Sequence, residues 1–397
     1  MAKPRGEKNA MSLREILPLM GITVSAFVFS SSEFMPVALL TDIAYSFVVT
    51  ESQAGMIISV YAWMVMILSL PLMILASRIE FKRLLLLVVT VFAFGQFLSS
   101  ISVSYAMLMA SRIVVACAHA IFWSIAPPLA VRVVSEEHRH MAMGMVVMGE
   151  SVALIAGLPL GRVIGLAMGW RMTFAIVAII AAIVLIYLWR VLPVIPASEP
   201  FTLKRLPVLL KNKQLRGVYV FIALFSSAYY LCYSYIEPFL LQVVNFSESE
   251  VTLVIAGFGA AGIVGSMLFS KCYARTRLIF IGAGIASTVI ALFLLSLLQT
   301  IGTVAVVMCL VLGMCCAALN VALQSEIIRY ARLDDQAVAT SIFSGIFNFG
   351  IGCGSAAGGV VVSVVGLAEI GLVAGTIGLL GLLYTIAILL PRLRSVR

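Results

Sequence analysis

At 397 residues the chain could fold as two or three soluble domains, yet 62% of it is hydrophobic and only 11% is charged. That balance excludes the ordinary water-soluble classes and predicts an all-α integral membrane protein, whose helices satisfy their own backbone hydrogen bonds in lipid. The net charge of +9 is not a nucleic-acid footprint, because the basic residues are spread over short gaps between apolar runs.

Those runs, each near the ~20 residues that cross a bilayer, predict twelve helices. The first six span 16–41, 54–77, 83–103, 105–131, 141–167 and 170–191. The last six span 216–243, 250–272, 278–299, 302–327, 336–366 and 368–390. The start, MAKPRGEKNAMSLRE, leads into a run too long for a signal-peptide core, so no cleavage is expected. The one long gap, 192–215, holds Pro193, Pro196 and Pro200 and then a short basic, amphipathic stretch from Leu203 to Leu210. It reads as a linker between an N-terminal bundle, 1–191, and a C-terminal bundle, 216–397.

Lys and Arg occupy alternate gaps. The N-terminus, the 78–83 gap, Arg132 with Arg139, the linker, 271–277, Arg329 with Arg332 and the C-terminus carry them. The intervening gaps do not. All but Arg112, Arg162 and Arg171 of the 26 Lys and Arg therefore fall on one side. By the positive-inside rule that side is the cytoplasm and holds both termini. Weak internal symmetry supports the division: Glu33-Phe34-Met35-Pro36 in helix 1 faces Glu237-Pro238-Phe239 in helix 7, and Gly157 with Gly161 in helix 5 matches Gly354 with Gly358 in helix 11. Six plus six helices with a repeat predict a transporter with its site near the midplane between the halves.

Ionisable groups at membrane depth are costly and mark candidate sites. Glu33 and Arg112 lie at similar depth, about 1.5 Å per residue below the ends of their helices, and could pair directly or through His119. Arg112, Ala116, His119 and Trp123 follow helical spacing and are expected on one cavity-lining face. One reading is proton coupling, in which Glu33 binds and releases a proton, Arg112 tunes its proton affinity and His119 shuttles the proton or bonds substrate. The other is a structural Glu–Arg bridge beside a satisfied core histidine.

On helix 7, Tyr229, Tyr233 and Glu237 share a face, with Tyr230 beside them. Aromatic plates with hydroxyls and a carboxylate suit a polyol, whereas tyrosines at the headgroup level, as expected for Tyr235, would be interfacial anchors. Asn320, Gln324 and Asn348 offer neutral hydrogen bonds, to a ligand or between helices. Ser30, Tyr61 and Trp63 complete the candidate substrate-binding set. Glu150 and Glu237 are further ionisable groups at membrane depth, and for Glu150, one turn above the cytoplasmic side, the alternative is to meet loop cations. This mostly neutral, hydroxyl-rich set favours a neutral polar substrate.

No nucleophile–base pair or phosphate-cradling loop is present, so no enzyme activity and no cofactor are expected. The seven Cys have no metal-site spacing and read as small core residues. His138 and His140 lie in a charged loop.

Several stretches resemble the major facilitator superfamily, in particular its twelve-helix drug:proton antiporter branch. Gly149, GLPLGRVIG at 157–165 and GWRMTF at 169–174 are similar to that branch's antiporter motif, built on Gly157, Pro159 and Gly161, with Arg171 in its Gly-Trp-Arg turn. Arg112 matches the helix-4 arginine, though Ala116 stands where Gly is usual. LASRIEFKR at 75–83 is a degenerate form of the gating-loop motif, with Ser77 for Asp and Glu80 for Gly. Closer still, SEFMPVALL (32–40), VYAWMV (60–65), CAHAIFWSI (117–125), LPLGRVIGLAMGWRMTF (158–174), YSYIEPF (233–239) and FSGIFNFGIG (343–352) resemble bacterial sugar efflux transporters of the SotB type. The resemblance implies proton-driven export of arabinose and galactoside-like sugars across the inner membrane, with a multidrug antiporter on the same scaffold as the alternative; a monomer is expected because each half supplies the other's partner.

Overall fold

The computed structural model describes residues 11–76, 79–196, 209, 211–332 and 336–394, and these form helices joined by short turns, with no strand among them. The first half comprises α1 (Leu13–Ala38), α2 (Glu51–Ala76), α3 (Phe81–Ser100), α4 (Tyr105–Arg132), α5 (Arg139–Val152, a π-helical turn at Ala153–Gly157, then Leu158–Met168) and α6 (Trp170–Val191). The second half comprises α7 (Lys213–Tyr233), α8 and α9 (the two limbs of Glu248–Leu297), α10 (Gly302–Tyr330), α11 (Gln336–Val364) and α12 (Ile370–Tyr384, a π-helical turn at Thr385–Leu389, then Leu390–Arg394).

Eleven of the described helices are long and apolar enough to cross a membrane. Glu248–Leu297, 50 residues long, would reach ~75 Å if straight, against a hydrocarbon core of ~30 Å. It bends at Thr276, whose backbone leaves the helical region (φ −127°, ψ 27°). Two crossings result, and the predicted break at 273–277 is a bend rather than a loop.

Helix starts follow the local sequence. Ser247 and Glu250 form a reciprocal capping box at α8, with Ser247 N donating to Glu250 Oε2 at 2.8 Å. Asn212 Oδ1 accepts from Gln214 N at 3.0 Å and Leu215 N at 3.1 Å, so α7 begins at Lys213 rather than at the expected Arg216. Most of the expected linker lies outside the described residues, as do Ser77 and Arg78 of the gating-loop stretch and all but Leu209 of the amphipathic stretch. The linker's start is held: Glu80 Oε1 accepts from Ile195 N at 3.3 Å, and Arg132 Nη1 donates to Pro196 O at 3.2 Å.

Helices α1 and α7 both break near the end away from the termini, called here the far end. Leu39 (φ −127°, ψ 19°) separates α1 from a short helix, Leu40–Phe47. Tyr235 (φ −118°, ψ 18°) ends α7 just before Ile236–Pro238, where Pro238 has no N–H for the carbonyl of Ser234.

Each half has its own apolar core, one around Phe29, Phe92 and Phe122 and the other around Phe221, Phe225 and Leu323. A third core joins the halves, packing Val37, Ala54 and Ile58 against Leu231, Phe239 and Ile351, residues of the far half of the bundle. The cysteines divide: Cys232, Cys309 and Cys315 are buried as expected, whereas Cys272 is exposed.

Candidate functional site

Below the shared core the halves part around a cavity of about 430 Å³ that extends toward the termini. Glu33 from α1, His119 and Trp123 from α4, Tyr230 and Tyr233 from α7, Asn320 and Gln324 from α10 and Asn348 from α11 line it. A neighbouring lobe of about 250 Å³ between α2, α4 and α11 shares His119, Trp123 and Asn348. The structure thus brings together most of the candidate set from five helices.

Of the two arrangements expected for Glu33 and Arg112, direct or through His119, the direct ion pair is not formed. Arg112 Nη1 donates to Ser32 Oγ at 3.2 Å and Nη2 to Ser32 O at 3.1 Å, and its guanidinium lies 4.4 Å from the Tyr61 ring centre. Glu33 Oε2 instead lies 3.6 Å from His119 Nε2. Successive residues turn by ~100° on a helix, so Ser32 points into the N-terminal bundle while Glu33 points to the cavity. The expected single face of α4 splits likewise: Arg112 and Ala116 are buried inside the bundle, and only His119 and Trp123 reach the cavity wall.

Ser30, Tyr61, Trp63 and Glu237 are absent from the cavity lining. Ser30 is buried in the N-terminal bundle. Tyr61 lies beneath Arg112, 5.6 Å from His119 between ring centres. The Trp63 indole occupies the space that a side chain at Gly352 would need, on the α2–α11 contact. Glu237 belongs to the far-end seal, because the break at Tyr235 removes the regular spacing that would align it with Tyr229 and Tyr233.

That seal is polar and buried. Arg162 Nη1 donates to Glu237 Oε1 at 2.9 Å, and Nη2 pairs with Glu248. Glu237 Oε2 accepts from Thr41 Oγ1 at 2.8 Å. The side chains of Arg162 and Glu237 are 0% and 1% exposed. Arg162, unexplained by the charge pattern, thereby ties the first half to the second. Beside this cluster Tyr235, expected at the lipid interface, is wholly buried and donates to Ser355 O at 3.2 Å. It packs where side chains at Gly55, Gly358 and Gly359 would collide with it. Arg171, the remaining exception, donates to Ser102 O from Nε at 3.0 Å and stacks 4.2 Å from the Trp170 ring centre. Of the predicted motif glycines, Gly157 meets Ser31 and Gly161 meets Met35 of α1, with Pro159 in the first turn after the π-helical turn.

Several lining groups went unpredicted as a set: Phe34, Phe258, Phe343, Phe347 and Cys316. Glu150, for which loop cations were the alternative, faces the cavity and makes no ion pair among the described residues. With Met143, Val146 and Val147 it makes an i, i+3, i+4, i+7 stripe on α5, a signal visible in the sequence. No group of three or more metal-ligating side chains occurs among the described residues.

Twelve crossings in two halves, sealed at one end above a cavity that extends toward the other, define a multi-pass membrane transporter. The chain belongs to the Major Facilitator Superfamily, which it matches over residues 22–332 and 238–397. It is 40% identical over 362 residues to a Helicobacter pylori (strain J99) protein named "Probable sugar efflux transporter", covering 91% of this chain and 92% of that one. A protein of the same name from Mannheimia succiniciproducens is 39% identical over 92% of both chains. One from Pasteurella multocida is 38% identical over 96% of this chain and 94% of its own. The fold is shared with a bacterial homologue of the human lysosomal transporter Spinster, with a TM-score of 0.77 at 16% identity over 98% of each chain. A human organic anion transporter has a TM-score of 0.66 at 14% identity, covering 94% of this chain and 98% of its own.

Proposed function

We propose that this protein exports sugars across a bacterial inner membrane in exchange for protons, as a monomer with both termini in the cytoplasm. The observation that carries the proposal is the Glu33–His119 pair, 3.6 Å apart on the wall of the inter-half cavity. A carboxylate and an imidazole so near each other can share one proton after a small side-chain rotation or through one bridging water. When the halves rock, the far-end seal opens, the cavity faces the other side and a proton can load. Proton release toward the cytoplasm then resets the carboxylate. Arg112, held on Ser32, keeps a fixed positive charge behind the pair.

The substrate wall supports a sugar. Asn348 Oδ1 is buried without a protein partner, while its Nδ2 donates to Ser344 O at 3.0 Å. An acceptor so placed can take a hydroxyl. Tyr230 and Tyr233 stand edge to face at 5.7 Å between ring centres, giving flat surfaces for C–H faces and hydroxyls at their edges. The names of the relatives agree with export of sugars, and arabinose and galactoside-like sugars are the class proposed. The aromatic lining of Phe34, Phe258, Phe343 and Phe347 favours a second reading, a multidrug:proton antiporter.

The test is transport in proteoliposomes under an imposed pH gradient, with labelled arabinose and a lipophilic cation in parallel. Arabinose moving against the proton flux, with the cation ignored, supports the first reading. Movement of the cation alone overturns the substrate assignment. Arabinose movement that ignores the gradient overturns the coupling.

A further inference from the structure

The described lining of the cavity holds two carboxyl groups and no guanidinium or ammonium group. Among the described residues that line both lobes, the carboxylates are Glu33 and Glu150, the imidazole of His119 is the one basic group, and there is no Lys or Arg. Glu33 has a partner in His119. Glu150 faces the same space from α5, on the stripe that also carries Met143, Val146 and Val147. The tyrosines of α7 and the buried, unpartnered Asn348 Oδ1 line the same cavity.

A carboxylate in a cavity without a protein cation is matched by a ligand that brings one. A protonated amine would pair with Glu150, and the faces of Trp123, Tyr230 and Tyr233 would add cation–π attraction. A phosphoryl group would meet two carboxylates with no guanidinium or ammonium to receive it. Resting on the sugar-export reading, we propose that Glu150 is an ammonium-recognition site that makes amino sugars preferred cargo and turns sugar phosphates away. The hydroxyls fall to Asn348 and the tyrosines, and the proton stays with Glu33 and His119. The division frees the second carboxylate from the coupling role.

The experiment measures binding to the purified full-length protein of galactose, galactosamine, N-acetylgalactosamine and galactose 6-phosphate at neutral pH. Galactosamine is expected to bind about tenfold or more tightly than galactose, the gain of a charge-assisted hydrogen bond. N-acetylgalactosamine, which has lost the charge, is expected to lose the gain, and galactose 6-phosphate is expected not to bind. In Glu150→Gln the galactosamine-to-galactose ratio should fall to about one, and in Glu33→Gln it should persist. Equal affinities for galactosamine and galactose in the unaltered protein overturn the inference, whatever the variants do. So does a ratio that survives Glu150→Gln or collapses only in Glu33→Gln. If galactose and galactosamine both fail to bind while tetraphenylphosphonium binds, the sugar reading itself falls, and this inference with it.

Discussion

Replacing Arg162 by Met should open the far end. In the sealed state Arg162 is wholly buried, and its guanidinium is the sole cation bonded to the buried Glu237 carboxylate. Met keeps the length and apolar bulk but leaves Glu237 with only Thr41. Removing one partner of a buried ion pair costs about 3–5 kcal/mol. The second contact, to the half-exposed Glu248, adds little because water screens it. The penalty falls on the sealed state alone, since opening gives Glu237 to water. At 1.4 kcal/mol per tenfold, the ratio of sealed to open molecules should drop by roughly 10²–10³·⁵. Spin labels at Val103 and Val364, 85% and 78% exposed on opposite halves at the far end, would report this as a population of longer distances. The double variant Arg162→Met with Glu237→Met removes both charges and should return the distances to the sealed set. If the double variant is as open as the single one, an uncompensated charge is not what the seal guards against.

Glu33→Gln should abolish the response of transport to a pH gradient while sugar exchange without a gradient persists; gradient-driven export by this variant would remove Glu33 from the coupling step. Trp123→Ala and Tyr233→Ala should each weaken sugar binding by about three- to tenfold, from the ~0.5–1.5 kcal/mol of an aromatic contact, and unchanged titration isotherms in both would move the sugar off this wall. Gly157→Ala should lower the unfolding temperature in detergent, because its Cβ would overlap Ser31 on α1, an overpacking cost of about 1–3 kcal/mol. An unaltered melting curve would mean that the α1–α5 contact yields without strain.

What the sequence revealed follows from which signals are local. Hydropathy and the alternation of Lys and Arg are local sums, and they place the helices to within a few residues. The start of α7 was missed because Asn212 captures two backbone N–H groups three residues early. Cavity residues were legible where a polar group stands on an otherwise apolar helix, as with Glu33, His119 and Asn348. Helical spacing failed for Glu237, because the turn at Tyr235 resets the phase just before it. It failed for Arg112 because equal depth does not set direction: Ser32, one position before Glu33, receives the guanidinium. The aromatic wall was illegible, since a phenylalanine in an apolar run gives no sign of whether it faces lipid, core or ligand.

The π-helical turn at Ala153–Gly157 makes α5 a helix of two registers. A wide turn of this kind holds one residue more than an α-helix needs, and each residue swings the chain by ~100°. Below it, the stripe ending at Glu150 looks into the cavity; above it, Gly157, Gly161 and Gly165 look toward α1. The wide turn absorbs that residue, so both faces continue through it: Gly149 below also meets α1, and Leu158 above also lines the cavity. Wound as uniform α-helix, the same residues would turn one flank away from its target by ~100°. The extra residue is tolerated only while the turn stays wide, so a change that favours regular α-helix between Ala153 and Gly157 would part the cavity face from the α1 face without touching either one.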